Sequence, residues 1–483
     1  MSTRSRAPGK SLSPGKVFAI VAVAVFLAQL DLFIVNIAFP AIQDGFPGAS
    51  ISDVSWVLSA YAIVFAALLV PAGKLGDILG RRFVFVAGIL AFGVGSALCA
   101  AAPSLQFLIA ARVLQAAGAA AVTPTSLGLL LPVVPPQRRA VAIAGWAAIG
   151  AVGSAAGPPL GGLLTQLSWH WIFIVNVPLA LVTAVIAWRR LDEVRDPAKP
   201  PLPDAVGTVM LIGTVALLTL GLVKSTDWQW DGRVIGSLAG AVLLGTVFVL
   251  RSRRHVAPVL ELAILRVPAF ALACASAALF YASFGAMLLS NVIYLTHVWH
   301  YSALTAGLAL APGPLAAAVF APISARLVRR LGPGLVGGLG ALTFGLGSLW
   351  WIWSMGVQPS YAVDFLPGML VGGVGVGLAL PAFTVAATAT LHPARLATGI
   401  GAQTMFRQIG ASLGVAAFVA ILGTPAPARI LHAFDQTRVF MVASAAAAAV
   451  ALLLIRRSAP GVPPPAATER HEPAVPAAAH SSV

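Results

Sequence analysis

The residues best placed to do chemistry in this sequence are charged groups inside long apolar segments. Asp31 is the one acidic residue deep within such a segment, because Asp364 falls near a segment end. Arg112 and Arg407 are the two cations within apolar segments. An ionisable side chain in hydrocarbon costs several kcal/mol unless it is paired or hydrated. Each of these residues therefore has a structural or a functional reason to be there.

Asp31 and Arg112 are predicted to lie at one depth. Asp31 comes eight residues before the end of its segment, and Arg112 comes seven residues after the start of its own. At ~1.5 Å per helical residue, both lie roughly 10–12 Å below the same membrane face. Two roles fit an ion pair there: a structural tie between two helices, or a proton switch in which Asp31 protonates and frees Arg112. We favour the switch, because buried carboxylates in membrane bundles often form proton relays.

Other polar side chains in the apolar segments are candidates for a central cavity. Arg407 has no obvious acidic partner in its half of the chain, so it either bonds backbone carbonyls or attracts the polar or anionic group of a ligand. The uncharged candidates for the same cavity are Gln29, Asn36, Gln115, Asn291 and Gln403. Hydrogen bonding between helices is the alternative role for each of them.

A run of glycines marks the fifth apolar segment. The residues Gly150, Gly153, Gly157 and Gly161 are spaced by three, four and four, which places them on one helical face. Such a face lets a neighbouring backbone approach closely. The string continues with Pro158, Pro159 and Gly162, and proline is expected to bend the helix. We expect a side chain added at Gly157 to block a conformational exchange; generic packing is the alternative.

Composition shows what kind of protein carries these residues. Of 483 residues, 59% are hydrophobic and only 9% are charged, against about 25% charged in soluble domains. This excludes a soluble enzyme, a nucleic-acid binder and a disordered scaffold. Both cysteines, Cys99 and Cys274, lie in apolar runs, and His297 and His300 have no further ligand nearby. We therefore predict an integral membrane protein without disulfide, metal or cofactor.

Fourteen apolar segments are long enough to cross ~30 Å of hydrocarbon as helices. With the N-terminus inside, the inner loops and tails hold 24 of the 30 basic residues and the outer loops hold only four. This asymmetry predicts that both termini are cytoplasmic. The segments are 17–39, 55–73, 83–102, 105–131, 140–165, 171–189, 205–223, 233–250, 268–296, 303–325, 334–354, 362–389, 397–422 and 438–456.

An internal repeat organises these segments. The octapeptides Gly73–Gly80 and Ala325–Gly332 follow the second and the tenth segment, 252 residues apart, and share two leucines and the final glycine. We predict an all-α membrane protein of two six-helix bundles with an inserted helix pair and inverted repeats within each bundle. The predicted parts are a basic cytoplasmic tail (1–16), the N-terminal bundle (17–190), a linker with the inserted pair (191–267), the C-terminal bundle (268–457) and a disordered cytoplasmic tail (458–483).

Six motifs stand in order along residues 17–457. They are Leu30-Asp31-x-x-x-Val35-Asn36-x-Ala38-x-Pro40, Gly73-x-x-x-Asp77-x-x-Gly80-Arg81-Arg82, Arg112-Val113-x-Gln115-x-x-Gly118, Gly153-x-x-x-Gly157-Pro158-x-x-Gly161-Gly162, Trp169-His170-Trp171-x-Phe173-x-x-Asn176-x-Pro178 and Arg407-Gln408-x-Gly410-x-x-x-Gly414. Together they resemble the major facilitator superfamily, in its fourteen-span branch of proton-coupled drug exporters. Two positions depart from that pattern, Ala116 and His170. The tenth segment also lacks the acid that some relatives use for divalent cations, which argues against dicationic substrates.

The resemblance implies a secondary transporter of the plasma membrane that exports small lipophilic compounds in exchange for protons. Its energy source would be the proton gradient and its partners the substrate, protons and the lipid bilayer, with no nucleic acid and with a monomeric chain. A proton-coupled importer or a dedicated metabolite exporter is the alternative. A membrane enzyme or sensor lacks a catalytic constellation, and a primary pump would need a phosphate-binding loop that the sequence does not contain.

The loop after the second segment is predicted to act as a conformational latch. Its residues are Gly73, Asp77, Gly80, Arg81 and Arg82. We expect the Asp77 carboxylate to face the inner N-terminus of the thirteenth segment, where a helix dipole favours a negative charge by ~0.3–1 kcal/mol. The contact would hold the cytoplasmic side shut, with Arg81 and Arg82 positioning Asp77. Simple control of topology by the basic residues is the alternative.

Overall fold

The protein folds into fourteen helices that are long and apolar enough to cross a membrane, as predicted. A computed structural model describes residues 12–195, 201–389, 391, 395–423 and 425–455, so most of both predicted tails lies outside the described residues. The helices, labelled α1 to α14 in chain order, are Pro14–Gly45, Ile51–Leu79, Arg81–Ala100, Leu105–Val133, Pro136–Leu167, Trp171–Arg190, Ala205–Val223, Gly232–Arg254, Pro268–Val298, Ala303–Leu331, Pro333–Ser354, Tyr361–Thr388, Thr398–Leu422 and Ile430–Leu453.

Helix packing divides the chain into two bundles and an inserted pair. In the first bundle α1 packs on α5, α4 on α2 and α3, and α3 on α6. In the second, α9 packs on α13 and α14, and α12 on α10 and α11. The inserted helices α7 and α8 pack on each other, and α7 also contacts α2 and α13. Contacts between the bundles run mainly through three helix pairs, α2 with α13, α5 with α10 and α1 with α9, and α1 also touches α10.

The sequence repeat is also visible in the backbone. Gly80 and Gly332, which end the two octapeptides, have positive φ values of 114° and 86°. Each peptide N–H donates to a carbonyl four residues back, on Gly76 and Val328, at 3.0 Å. Glycine is favoured at such positions because it has no Cβ. The repeat therefore encodes the tight turns that join α2 to α3 and α10 to α11.

The same 252-residue offset relates two glycines, Gly88 and Gly340, that each lie at a helix crossing. A Cβ on Gly118 would lie 2.5 Å from the Gly88 carbonyl oxygen, where α4 crosses α3. A Cβ on Gly375 would lie 2.7 Å from the Gly340 carbonyl oxygen, where α12 crosses α11. Gly88 and Gly340 are the equivalent residues of the repeat. Both bundles are thus built on backbone contacts that allow no side chain.

The last helix begins earlier than predicted and brings in a second buried arginine in addition to Arg112. α14 starts at Ile430, so Arg438 lies inside it rather than in an outer loop, and its side chain is buried. The Arg438 guanidinium donates to Asp435 at 2.8 Å and lies 4.8 Å from the centre of the Tyr294 ring. The hydropathy criterion missed the start of α14 because it counts Asp435 and Arg438 as two separate charges, although they pair within one helical turn.

We predict that a side chain at either glycine crossing destabilises the protein. Gly118→Leu and Gly375→Leu should each cost ~1–3 kcal/mol or more, because the added atoms meet backbone rather than movable side chains. The control is Gly236→Leu, since nothing lies within 4 Å of a Cβ at that exposed position of α8. Thermal unfolding in detergent should separate the first two variants from the control. Equal melting temperatures in all three would contradict the crossings.

Candidate functional site

Asp31 and Arg112 meet in the interior of the N-terminal bundle. α1 carries Asp31 and α4 carries Arg112, and their side chains are 0% and 1% exposed. Arg112 Nη1 lies 2.5 Å from Asp31 Oδ2. The two residues predicted to share a depth are therefore in direct contact. Such a pair stays charged in a low-dielectric interior only if its remaining hydrogen-bonding positions are also filled.

Three amide and hydroxyl side chains complete the acid's surroundings. Gln115 Nε2 donates to Asp31 Oδ1 at 2.7 Å and to Ser96 Oγ at 2.7 Å, while Gln115 Oε1 accepts from Arg112 Nη1 at 2.6 Å. Asn176 Nδ2 lies 3.5 Å from Asp31 Oδ1. The placement of Gln115 in the central cavity was therefore wrong: its side chain is fully buried and bridges the acid and the base.

An aromatic ring and a backbone carbonyl hold the other side of Arg112. Arg112 Nε donates to the Val57 carbonyl oxygen at 3.1 Å. Its guanidinium carbon lies 4.0 Å from the centre of the Tyr61 ring, one turn further along α2. An arginine over an aromatic face gains ~2 kcal/mol or more when desolvated. The sequence analysis missed Tyr61, which is fully buried on α2.

Arg407 has a different partner from those predicted. Its guanidinium hydrogen-bonds the Tyr281 hydroxyl and lies 4.5 Å from the centre of the same ring. Among the described residues no carboxylate lies within ion-pair distance of Arg407, and its Nε has no hydrogen-bond partner. Arg407 therefore has one buried donor without a partner and no carboxylate that neutralises its charge among the described residues.

The predicted cavity residues do not form one ring. Close contacts of Gly410 with Ala278 and of Gly414 with Ala282 show that α9 and α13 run in parallel. This register places Gln403 about 30 Å below Asn291 at ~1.5 Å per residue, near opposite ends of the bundle. Asn36 donates to the Leu32 carbonyl oxygen of its own helix at 2.9 Å. Grouping these residues by polarity alone was wrong, because depth separates them.

Gln29 is the uncharged candidate that stays near the glycine face. It is partly exposed on α1, and its side chain lies 3.4 Å from where a Cβ on Gly150 would stand. The neighbouring ring of Phe33 faces Phe284 of α9, with 6.2 Å between the ring centres. α1 therefore presents a mixed polar and aromatic face where the two bundles meet.

The glycine face of α5 packs closely, as predicted, but against a helix of its own bundle. A Cβ would lie 2.7 Å from the Phe26 carbonyl oxygen at Gly153, 2.6 Å from Phe33 Cβ at Gly157, and 2.9 Å from the Ile34 carbonyl oxygen at Gly161. All three contacts are with α1. Filling Gly157 would therefore distort the packing of α5 on α1, and its predicted effect on the conformational exchange stays a prediction.

The next face of α5 makes the contact between bundles. A Cβ on Gly162 would lie 2.5 Å from the Ala303 carbonyl oxygen, and a Cβ on Gly307 would meet the Pro158 carbonyl oxygen. Ala303 and Gly307 belong to α10 of the C-terminal bundle. Pro158 and Gly162 thus mark where the outer half of α5 touches the other bundle. Gly307, one of two glycines in α10, is the matching residue, which the sequence analysis did not single out.

The predicted latch residues are held within the N-terminal bundle. Asp77 Oδ1 accepts from Arg81 Nε at 2.9 Å, and Arg81 Nη1 donates to the Gly128 carbonyl oxygen at 2.8 Å. Among the described residues at the start of α13, none donates to Asp77. A Cβ placed on Gly73 would lie 3.4 Å from Pro124 Cβ. In this conformation Asp77 positions Arg81, and a contact with α13 remains a prediction for another state.

A different carboxylate caps a helix at this loop. Glu193 accepts from the backbone N–H of Arg82 at 2.9 Å and from that of Phe83 at 3.3 Å, at the start of α3. Arg82 Nη1 in turn donates to the Leu191 carbonyl oxygen at 2.9 Å. The stabilisation of a carboxylate by a helix N-terminus, expected for Asp77 at α13, is seen here for Glu193 at α3. The loop is thereby tied to the segment that follows α6.

We predict that the buried pair is more costly to break than to remove. Arg112→Met leaves the Asp31 carboxylate unpaired in hydrocarbon and should destabilise the protein by about 3–5 kcal/mol. Asp31→Asn combined with Arg112→Met should recover much of that loss. Arg233→Met is the control, because Arg233 forms an ion pair with its side chain 64% exposed. Thermal unfolding in detergent compares the three variants with the wild type. A double variant that is no more stable than Arg112→Met would contradict the pairing.

Comparison with known proteins agrees with this architecture. Residues 21–415 match the family model of the Major Facilitator Superfamily. The chain is 34% identical to the tetracenomycin C resistance and export protein of Streptomyces glaucescens, over 87% of this chain and 77% of that protein. It is 32% identical to multidrug resistance protein Stp of Mycobacterium tuberculosis, over 82% and 74%.

A solved structure shares the fold at low sequence identity. The bacterial homologue of the human lysosomal transporter Spinster superposes with a TM-score of 0.68 at 17% identity, covering 92% of this chain and 98% of that one. Two bundles of six helices, the charged pair buried inside the N-terminal bundle and the match over most of the sequence lead to one assignment. The chain is a membrane transporter and belongs to the Major Facilitator Superfamily.

Proposed function

We propose that this transporter exports small lipophilic molecules across the plasma membrane in exchange for protons, by alternating access between its two bundles. The observation that carries the proposal is the fully buried contact of Asp31 with Arg112. A carboxylate in that position can take up and release a proton during each cycle. The printed names of two relatives, a resistance and export protein and a multidrug resistance protein, support export and the substrate class.

The contacts of the pair suggest how a proton changes the bundle. Protonation of Asp31 removes the negative charge that Arg112 Nη1 faces at 2.5 Å. Arg112 keeps its bonds to Gln115 and the Val57 carbonyl and its stacking on Tyr61, so it remains in place as an uncompensated cation. The tie between α1 and α4 weakens at that step. Release of the proton restores the pair and draws the two helices together again.

The link to the other bundle runs along α1. Phe33 lies two residues after Asp31 and contacts Phe284 of α9. A small rotation of α1 when the ion pair opens would therefore move the aromatic contact between the bundles. This chain of contacts connects the proton to the cavity without an additional cofactor, and the proton gradient would supply the energy.

Arg407 is our candidate for substrate contact in the C-terminal bundle. Its free Nε and its unneutralised charge favour a substrate with a hydrogen-bond acceptor, and the rings of Tyr281 and Phe284 favour an apolar body. Gln29 is the matching polar group on α1. The acid-free α10 argues against dicationic substrates. A proton-coupled importer or a dedicated metabolite exporter would use the same cluster, so direction and substrate are decided by transport assays.

Orientation, location and assembly complete the proposal. Both termini would be cytoplasmic, since 24 of the 30 basic residues fall in the segments assigned to that side. The protein would act as a monomer in the plasma (inner) membrane, in contact with lipid, substrate and protons only.

We predict that Asp31→Asn abolishes proton-coupled transport while the protein still folds. A drug-susceptibility panel in a pump-deficient bacterium, with and without the gene, first identifies a substrate. Substrate-induced proton release from inverted vesicles then compares the variant with the wild type. The asparagine keeps the hydrogen-bonding shape but cannot exchange a proton. Release at the wild-type rate would remove Asp31 from the mechanism, and no protection against any compound would favour the importer or the metabolite exporter.

We also predict that two glycines of α5 fail in different ways. Gly162→Leu adds atoms between the bundles and should reduce export at least tenfold while the melting temperature changes little, because a penalty of ~1–3 kcal/mol on one state shifts the state ratio by roughly 5- to 150-fold. Gly157→Leu adds atoms between α1 and α5 and should lower the melting temperature. Export and thermal unfolding are measured on both variants. The reverse assignment of the two defects would contradict the two-face description of α5.

A further inference from the structure

The inserted helix pair is attached to the N-terminal bundle by charges at the outer surface. Lys224, directly after α7, lies 2.7 Å from Asp53 Oδ1 of α2 and 2.8 Å from Asp227 Oδ2. Asp227 Oδ2 also accepts a hydrogen bond from Ser52 Oγ at 2.6 Å. The short connection between α7 and α8 is thus bound to the first turn of α2 by three polar contacts.

These outer contacts are insensitive to ordinary changes of external pH. Burial alone would raise the pKa of Asp227, but hydrogen bonds from Lys224 and Ser52 outweigh it and hold that pKa below its usual value. Burial would likewise lower the pKa of Lys224, but its bonds to Asp227 and Asp53 outweigh that effect and raise it. Both groups stay charged between pH 5 and 8, so the attachment is lost only as the pH falls below the range where carboxylates ionise.

A second attachment lies at the inner surface. Lys74 Nζ, near the inner end of α2, donates to the Pro258 carbonyl oxygen at 3.1 Å, just after α8. The pair itself is closed at this end, because Arg251 Nη2 of α8 lies 2.8 Å from Asp204 Oδ1 at the start of α7. The Asp204 carboxylate also accepts from the Gly207 N–H at 2.8 Å. The inserted pair is therefore a closed hairpin fixed to both ends of α2.

Its polar contact with the C-terminal bundle is uncharged, although α7 packs on α13 about as extensively as on α2. Thr226 Oγ1, at the outer tip of the pair, donates to the Ala420 carbonyl oxygen of α13 at 3.2 Å. Directly beyond α13, a Cβ on Gly423 would lie 3.8 Å from Thr226 Cβ. Ser52, Thr226 and Leu422 line one small cavity at this place, where the outer ends of the two bundles meet. Thr226 thus closes a gap between the bundles with a single neutral hydrogen bond.

We propose that the inserted pair moves as part of the N-terminal bundle and that Thr226 is its gate residue, closing the outer side of the transporter against Ala420 and Gly423 of the C-terminal bundle. The inference rests on the proposed alternating access between the bundles. It assigns the pair a task in the cycle: during outward opening the charged contacts with α2 persist, and the neutral contact at Thr226 breaks. α7 then slides along α13 while remaining on α2.

Two cysteine pairs test this assignment against each other. In a background with Cys99→Ala and Cys274→Ala, the gate pair is Thr226→Cys with Gly423→Cys, whose expected Cβ separation of 3.8 Å suits a disulfide. The control pair is Ser52→Cys with Asp227→Cys, whose present side chains are in contact. Each pair is closed with a short bis-methanethiosulfonate linker, which joins the two thiols through disulfides that a reductant cleaves, and export is measured before closure, after closure and after reduction.

Closing the gate pair should reduce export at least tenfold, and reduction should restore it. Closing the control pair should leave export within twofold of its open value. Loss of export with the control pair closed would show that the inserted pair moves relative to the N-terminal bundle. Undiminished export with the gate pair closed would show that Thr226 is no gate. Either result overturns the inference.

A distance measurement separates this inference from the proposed function. Spin labels on the same two pairs report distances in purified protein, whatever it transports. The labels of the control pair, at positions 52 and 227, should lie at one distance from each other at every pH and with every candidate substrate. The 226/423 pair should give a short and a long distance whose proportions change. Two distances at 52/227, or one fixed distance at 226/423, would contradict the gate even in an active exporter; a protein that exports nothing but shows the expected distances would contradict only the proposed function.

Discussion

The ion pair of Asp31 with Arg112 is the constraint on which the N-terminal bundle is built. Two opposite charges buried this completely are tolerated only when their hydrogen-bonding positions are filled. Gln115, Ser96 and the Val57 carbonyl fill them, and Tyr61 covers the guanidinium face. These groups come from α1, α2, α3 and α4. The charge requirement therefore fixes how four helices pack, and a proton that neutralises Asp31 acts on all of them at once.

Arginine facing tyrosine recurs in this protein with different neutralisation. Arg112 and Arg438 each have a carboxylate partner as well as a ring, whereas Arg407 has, among the described residues, only the ring and hydroxyl of Tyr281. A cation over an aromatic face is stabilised without losing its charge. The two bundles are therefore not electrically equivalent. The N-terminal bundle holds a pair of opposite charges that neutralise each other, and the C-terminal bundle holds, at Arg407, a cation without a carboxylate partner among the described residues.

Much of the fold could be predicted from the sequence, because hydropathy, basic loops and the 252-residue repeat are one-dimensional signals. The contact of Asp31 with Arg112 was also predictable, since depth follows from counting residues along a helix. Rotation of a helix about its axis could not be derived in this way. That is why the neighbours of Gly157 and Gly162 were not told apart, Gln115 was placed in the cavity, and Tyr61 was missed. Arg438 was misplaced because its pairing with Asp435 is invisible to an average hydropathy.

The central claim is that Asp31 changes its protonation during transport. Infrared difference spectroscopy of the purified protein in lipid, with and without bound substrate, observes this directly through the carbonyl stretch of a protonated carboxyl group. We predict a substrate-dependent band of this kind that is absent from Asp31→Asn, because Asp31 is the carboxylate buried at the centre of the described bundle. A carboxylate signal that stays ionised with and without substrate, from pH 5 to pH 8, would contradict the account.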